Sequence, residues 1–431
     1  MNEVSRRSFL GALGFGALAL AAPARALERI PYGGTLRLSL PWTMAELDPH
    51  DPASAMTALF GDCVFEPLFA LDSRGQPYPT LAAELPQVSA KRLRVTLRPG
   101  LLTAANRALD AKDALFSLNR AREHRALAAA RNWRLSLVND TPLAFEVEGS
   151  DALALARALA VPAASMVPRR FDPRMPDGTG PFALTKLGSN ARLSRNPRAA
   201  RGPAWLDAIE LNAAPTLGDS LRAFEVGESE VGWGGAGLYR SRPGAVTFDA
   251  GLLGWVVLRT GTLLGPWGAP GIAQHLIDGI DGRRLEHLGL RDLPRGAGDR
   301  WDGAACELMV DASAGQMLQI AEALIGLWAE GTGRITLRPT TARELSRARS
   351  AGDFALMLDF LRPLDGTASA GLALRTADGV ERLPTVARDD WRDYVRAARV
   401  GVLGSLRISG ALAPGFAQLA SWRLADTYLL P

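Results

Sequence analysis

Four histidines (His50, His124, His275, His287) and two cysteines (Cys63, Cys306) are the side chains best suited to hold a metal or act as a nucleophile. They are scattered, with no zinc-ligand spacing, so neither a structural metal nor a cofactor is expected. There is no Gly-x-Ser-x-Gly elbow, no phosphate-loop lysine and no His-Glu-x-x-His. Acids are plentiful, yet no pair stands apart for acid–base work, and the sequence predicts a protein that is not an enzyme. Two stretches are suited to holding a ligand. Trp233-Gly234-Gly235-Ala236-Gly237 lacks dinucleotide spacing, but its glycines let backbone groups approach a ligand closely. Asp359-Phe360-Leu361-Arg362-Pro363-Leu364-Asp365-Gly366 offers a guanidinium that can grip a carboxylate through two bonds and an acid that can meet a cation. Arg362 and Asp365 pairing with each other at a rim is the alternative.

The elements that carry the second stretch are legible. Residues 307–310 alternate as a strand, and Gly315 to Glu330 reads as a helix with Leu318, Ala321, Ile325 and Trp328 on one face. Residues 335–338 form a strand, Thr341 to Glu344 a capping-box start, and residues 354–358 a third strand. Strand, helix, strand, helix, strand implies an α/β fold with a parallel sheet and right-handed crossovers. Ligands bind such sheets at the carboxyl ends of the strands, which places Asp359, Phe360, Arg362 and Asp365 at a cleft. Trp255-Val256-Val257-Leu258 is continuously apolar, as a strand buried on both faces would be.

A longer run fixes the wider frame. Gly178-Thr179-Gly180-Pro181-Phe182 opens a strand pair, Arg195-Asn196-Pro197 marks a loop, and Leu206-Asp207-Ala208-Ile209 begins a strand. A short helix from Asp219 to Val226 then leads to Gly227 and Glu230-Val231-Gly232-Trp233. Upstream lie Gly33-Gly34-Thr35-Leu36, Leu47-Asp48-Pro49-His50 and Leu109 to Leu118. In this order the segments resemble the family 5 extracellular solute-binding proteins, receptors of peptide, nickel and opine-type ABC importers. The resemblance implies a two-lobe periplasmic binding protein fold (type II), with the ligand cleft between hinged lobes. It implies lobe I over 27–250 with an inserted subdomain at about 51–170, lobe II over 251–408, and a return to lobe I over 409–431. A second hinge crossing is expected at Gly410 to Gly415. Trp42, Trp233, Gly234, Gly235, Trp255, Phe360, Arg362 and Asp365 are the implied ligand-binding residues; for Trp42 a core role capping the first strand is equally open. Peptide-binding members place a Trp and an Asp after the third strand, the Asp pairing with the peptide's amine. The Phe-x-Asp-Gly turn usual after Arg-Pro-Gly is replaced here by Leu101 to Asn106.

The first twenty-six residues read as an address. Paired arginines, Arg6-Arg7, precede Phe9-Leu10 and an Ala- and Gly-rich apolar run of about twelve residues, where a membrane span needs about twenty. Ala24-Arg25-Ala26 suits cleavage. This resembles a twin-arginine signal, and no cysteine follows it for lipid attachment, so a periplasmic protein is expected. The chain is 47% hydrophobic and 22% charged, which argues against disorder. Its formal charge is +4. Lys91, Lys112 and Lys186 are the only lysines, and the arginines are dispersed among acids rather than set in an aromatic-interleaved stripe, so no nucleic-acid partner is expected. Cys63 and Cys306 fall in different expected lobes and read as free thiols. The expected partners are a small-molecule or peptide ligand and an inner-membrane ABC permease, met by a monomer. The alternative is a periplasmic sensor or interaction subunit that keeps the fold without feeding a permease. An undeclared hydrolase is a third, outlying possibility.

Overall fold

The computed structural model describes residues 32–89, 91–234, 242–296, 300–329, 334–364, 370–378, 391–418 and 424–430. The expected leader therefore lies outside the described residues, as do Gly235 and Asp365. In chain order the elements that build the site are β1 (Thr35–Leu40), α1 (Ala55–Val64), α2 (Ala111–Glu123), β2 (Phe182–Lys186), β3 (Asn190–Arg195), β4 (Ala208–Ala213), α3 (Leu217–Glu225) and β5 (Val231–Trp233). There follow β6 (Val246–Thr260), β7 (Cys306–Asp311), α4 (Gly315–Ala329), β8 (Ile335–Thr340), α5 (Ala342–Ala351), β9 (Leu356–Leu361) and β10 (Val400–Leu412).

These strands form one sheet in the order β8-β7-β9-β6-β10-β5-β1-β4-β3-β2. β7 is parallel to both β8 and β9, as the alternation of strands and helices implies. At the other end β1 is parallel to β4 and β5. Between these groups run the two long strands β6 and β10, paired antiparallel. Near one end β10 also pairs with β5, at Gly410–Leu412; near the other β6 pairs with β9, from Trp255 onward. In between they form a two-stranded waist, with register shifts between Asp249 and Leu252 and between Leu252 and Gly254. Bulges concentrate twist and bending locally. Gly410, expected to begin the second crossing, lies inside β10, where it pairs with both β5 and β6.

Leu36, Leu38 and Leu40 of β1 join Phe60 of α1, Phe182, Leu211, Ile320 and Leu358 in one large core. A separate core, with Phe69, Val95, Leu118, Phe145 and Val147, supports a four-stranded sheet between residues 87 and 148. α2 packs there, started by a reciprocal box in which Asp110 caps Asp113 N–H and Asp113 Oδ2 accepts from Asp110 N–H. The buried face of α4 is Met317, Ile320, Ala321, Leu324 and Trp328, so Leu318 and Ile325, expected inside, are only partly covered. A helix apolar on nearly every side gives periodicity no phase to read. α5 starts as expected, with Thr341 Oγ1 accepting from Glu344 N–H at 3.2 Å, but Glu344 turns its carboxylate to Thr340 and Arg338 and leaves the box half-formed. Both cysteines are free, and burial pushes the Cys306 thiol up to about 11.

Candidate functional site: the cleft between the strand groups

The Leu47-Asp48-Pro49-His50 turn after β1 joins three parts of the chain. Arg120, in the last turn of α2, donates to both oxygens of Asp48 at 2.5 and 2.6 Å and to His50 Nδ1 at 2.9 Å. His50 Nε2–H is left to donate to Ser165 O at 3.0 Å, which fixes a neutral ring. Burial opposes ionisation of Asp48, but the Arg120 guanidinium outweighs it and holds the carboxyl below the usual range. Burial with an adjacent guanidinium pushes His50 down to about 3. From the other side, Arg362 at the end of β9 donates through its backbone N–H to Pro52 O and through Nη2 to Pro49 O. These bonds dock the carboxyl end of the parallel strands against the turn.

Above and beside this junction lies a cleft of about 970 Å³. Its floor and walls come from Glu46 and Asp51, the end of α2, Arg259 of β6, α5 and Asp378. A second, more apolar recess is lined by Trp42, Asp311, Met317, Leu358 and Phe360 and shares Glu46, Asp51, Ala342 and Arg349 with the first. The volume suits a small organic solute or short peptide. Arg259 is buried and paired to Asp359 at 3.3 Å and Asp378 at 2.7 Å; Arg349 also meets Asp359, at 3.1 Å. Burial, reinforced by mutual repulsion, raises the Glu46 carboxyl above the ordinary range. Burial raises Asp51 as well, against the pull of Arg349, and raises Asp311. These acids are poised to meet a cation, and no catalytic pairing of nucleophile and base is present among them.

Of the residues expected from sequence to bind ligand, Trp42 and Phe360 line the recess. Trp42 is 2% exposed and its Nε1–H has no acceptor among the described residues. Trp233 stacks edge-on behind it, ring centroids 5.4 Å apart, and supports Trp42 rather than lining the cleft. Gly234, at φ 106°, lies where a Cβ would come within 2.9 Å of Leu217, which makes it a packing glycine away from the cavity lining. Trp255 faces the other side of the sheet, in a small core with Val257, Leu361, Leu374 and Val402. Strand alternation decides this: residues 254, 256 and 258 face one side and 255 and 257 the other. Arg362 is 3% exposed, and burial, only partly opposed by Asp51 and Asp48, holds its guanidinium below the usual range. It binds backbone carbonyls instead of offering a grip to a solute. β9 extends to Leu361, so Asp359 and Phe360 belong to the strand and not to a loop after it.

Sequence reasoning passed over Glu46, Asp51, Asp311, Arg343 and Arg347. The carboxyl-end rule was applied only to the third parallel strand. Applied to β7 and β8 as well, it reaches Asp311 and the start of α5. Among the described residues no group of histidine, cysteine and acid side chains is arranged to hold a metal, and no helix is long and apolar enough to cross a membrane.

No family model matches the chain, and no curated protein matches it by sequence. Solved structures do match. The Escherichia coli murein tripeptide binding protein MppA aligns with a TM-score of 0.69 and 13% identity, over 93% of this chain and 99% of that one. AgaA, a periplasmic binding protein of A. tumefaciens R10 solved with agropinic acid, gives 0.65 and 14%, over 92% and 99%. The Bacillus subtilis oligopeptide-binding protein AppA, solved with a nonapeptide, gives 0.64 and 12%, over 94% and 100%. The architecture is thus the mixed α/β, two-lobe fold of periplasmic binding proteins, present nearly end to end.

Proposed function

We propose that the chain is a periplasmic solute-binding protein: two lobes close on a small ligand, probed first as a peptide or peptide-like solute, and deliver it to an ABC importer. The observation that carries this reading is the two-stranded waist of β6 and β10 beside a cleft of about 970 Å³. Two lobes joined by a narrow crossing can swing, and a ligand contacted by both walls favours the closed state. The fold likeness to binding proteins for a tripeptide, an opine and a nonapeptide supports a solute as ligand and leaves its class open. On this reading the twin-arginine leader exports the folded chain, and the lobe boundaries are those expected from sequence.

The test is small-angle scattering of the mature protein with a panel of short peptides, opines and other periplasmic metabolites. Compaction, together with a raised melting temperature for one class, is the expected result. An invariant radius of gyration and melting temperature across the panel would reject the receptor.

A further inference from the structure

The two walls of the cleft carry opposite net charge once their internal pairs are removed. On the wall built from β6, β9 and α5, Asp359 and Asp378 hold Arg259 and Arg349. Arg343, Arg347 and Arg399 stay exposed on the cavity, with no carboxylate partner among the described residues. Arg343 and Arg347 lie four apart on α5, one helical turn, and so present their guanidinium groups on one face. On the opposite wall Asp48 is neutralised by Arg120, and Glu123 and Asp172 are balanced by neighbouring Arg125 and Arg174. Glu46 and Asp51 are left in excess, without an ion pair among the described residues, and Asp311 faces the same end.

A second observation marks the acidic end as a place for a ligand. Trp42 lines it, is 2% exposed, and carries an indole N–H with no acceptor among the described residues. A buried donor left unmade costs stability, so a group that supplies an acceptor here is favoured. Phe360 closes the same recess and keeps it apolar.

Building on the receptor reading, we propose that the cleft selects a small zwitterion by its two ends. A protonated amine seats against Glu46 and Asp51, and a carboxylate seats against Arg343 and Arg347. The Trp42 N–H meets a carbonyl next to the amine. Because the acids belong to the wall that carries the Leu47–His50 turn and the arginines to the wall that carries α5, the ligand bridges the walls with matching charge on each side. This orientation reverses the one implied by the family resemblance, in which the acid for the amine follows the third parallel strand. Arg343 and Arg347 offer planar guanidinium groups for a carboxylate.

The experiment is titration calorimetry of the mature protein with trialanine, N-acetyl-trialanine and trialanine amide, repeated with Glu46→Gln and Arg347→Gln. It is paired with mass spectrometry of whatever the purified protein releases on unfolding. Each cap is expected to weaken binding roughly tenfold or more, the worth of a charge-assisted hydrogen bond. Glu46→Gln should abolish the penalty of acetylation alone, and Arg347→Gln that of amidation alone. A released ligand bearing both an amine and a carboxylate supports the assignment even if trialanine itself does not bind. Caps without effect, or a released ligand lacking either group, overturn it and leave the receptor standing. No binding and no released molecule overturn both.

Discussion

Arg362 Nη2 donates to the carbonyl oxygen of Pro49 at 2.5 Å, joining residues 313 positions apart. Among the described residues the buried guanidinium has no carboxylate in ion-pair contact, and its Nε has no partner. Its desolvation cost is offset by backbone acceptors and by the fields of Asp51 and Asp48. Arg362→Ala should lose about 3 kcal/mol, because it strands Pro49 O and leaves a cavity. Arg362→Met keeps volume and removes the buried charge, so it should lose less. Urea unfolding gives both numbers; a methionine variant less stable than the alanine one would contradict this account.

His50 makes acid sensitivity specific. Its folded value, about 3, lies below the ordinary 6.5, so the folded state binds fewer protons than the unfolded chain. Stability should therefore fall as pH drops from about 6.5 towards 3, by at most about 1.4 kcal/mol per unit. The depressed Asp48 adds a loss in the same direction, beginning only below the ordinary aspartate value of 3.8. His50→Gln retains a donor for Ser165 O and an acceptor for Arg120. Urea midpoints measured from pH 7 to 4.5 should slope for wild type and slope less for the variant, in which His124, also held below its ordinary value by burial, keeps a residual slope. Equal slopes would remove His50 as the cause.

Trp42→Phe separates packing from recognition. The ring against Trp233 is kept, and only an N–H without an acceptor is lost. Thermal stability of the ligand-free protein should hold or rise slightly, while affinity for the cognate solute should fall several-fold. A loss of stability with unchanged affinity would assign the indole to the core alone.

Gly410→Ala and Gly254→Ala probe the crossing strands at two depths. A Cβ at Gly410 would lie 2.0 Å from Gly232 O, in the backbone of the adjoining strand, which cannot swing aside as a side chain could. At Gly254 the nearest atom is the Phe360 ring, at 2.3 Å, with Leu361 O at 2.5 Å behind it. Both should destabilise by at least about 1–3 kcal/mol in chemical denaturation. Only Gly254→Ala should also displace Phe360 from the recess and weaken binding beyond the stability loss. Equal effects on binding would show that Phe360 is not part of the contact surface.

The parallel unit β7-α4-β8-α5-β9 was readable because each element has its own period and punctuation. The burial phase of α4 was not, since Leu318 and Ile325 are as apolar as the neighbours that face inward. Trp255 was misplaced for a related reason: in a strand covered on both sides, apolar character does not reveal which side meets the cleft. Arg362 looked like a ligand clamp because sequence shows a charge and not its burial. The residues that line the cleft sit up to 353 positions apart, Glu46 against Arg399, and the fold rather than the local sequence brings them together. Trp42 and Phe360 line the recess, and each stands at or near the end of a strand that is legible on its own.

The waist of β6 and β10 has a mechanical meaning. A ribbon of two hydrogen-bonded strands resists extension, while its bulges near Asp249, Gly251 and Leu252 let it twist. Arg407 grips both oxygens of Asp249 across that ribbon, at 2.7 and 2.9 Å, close to the irregular step. On the proposed receptor reading, closure would be a torsion about the ribbon more than a bend across it, converting the span of an enclosed solute into an angle between the outer rims. A partner resting on both rims would sense cargo as that angle without touching the cargo at all.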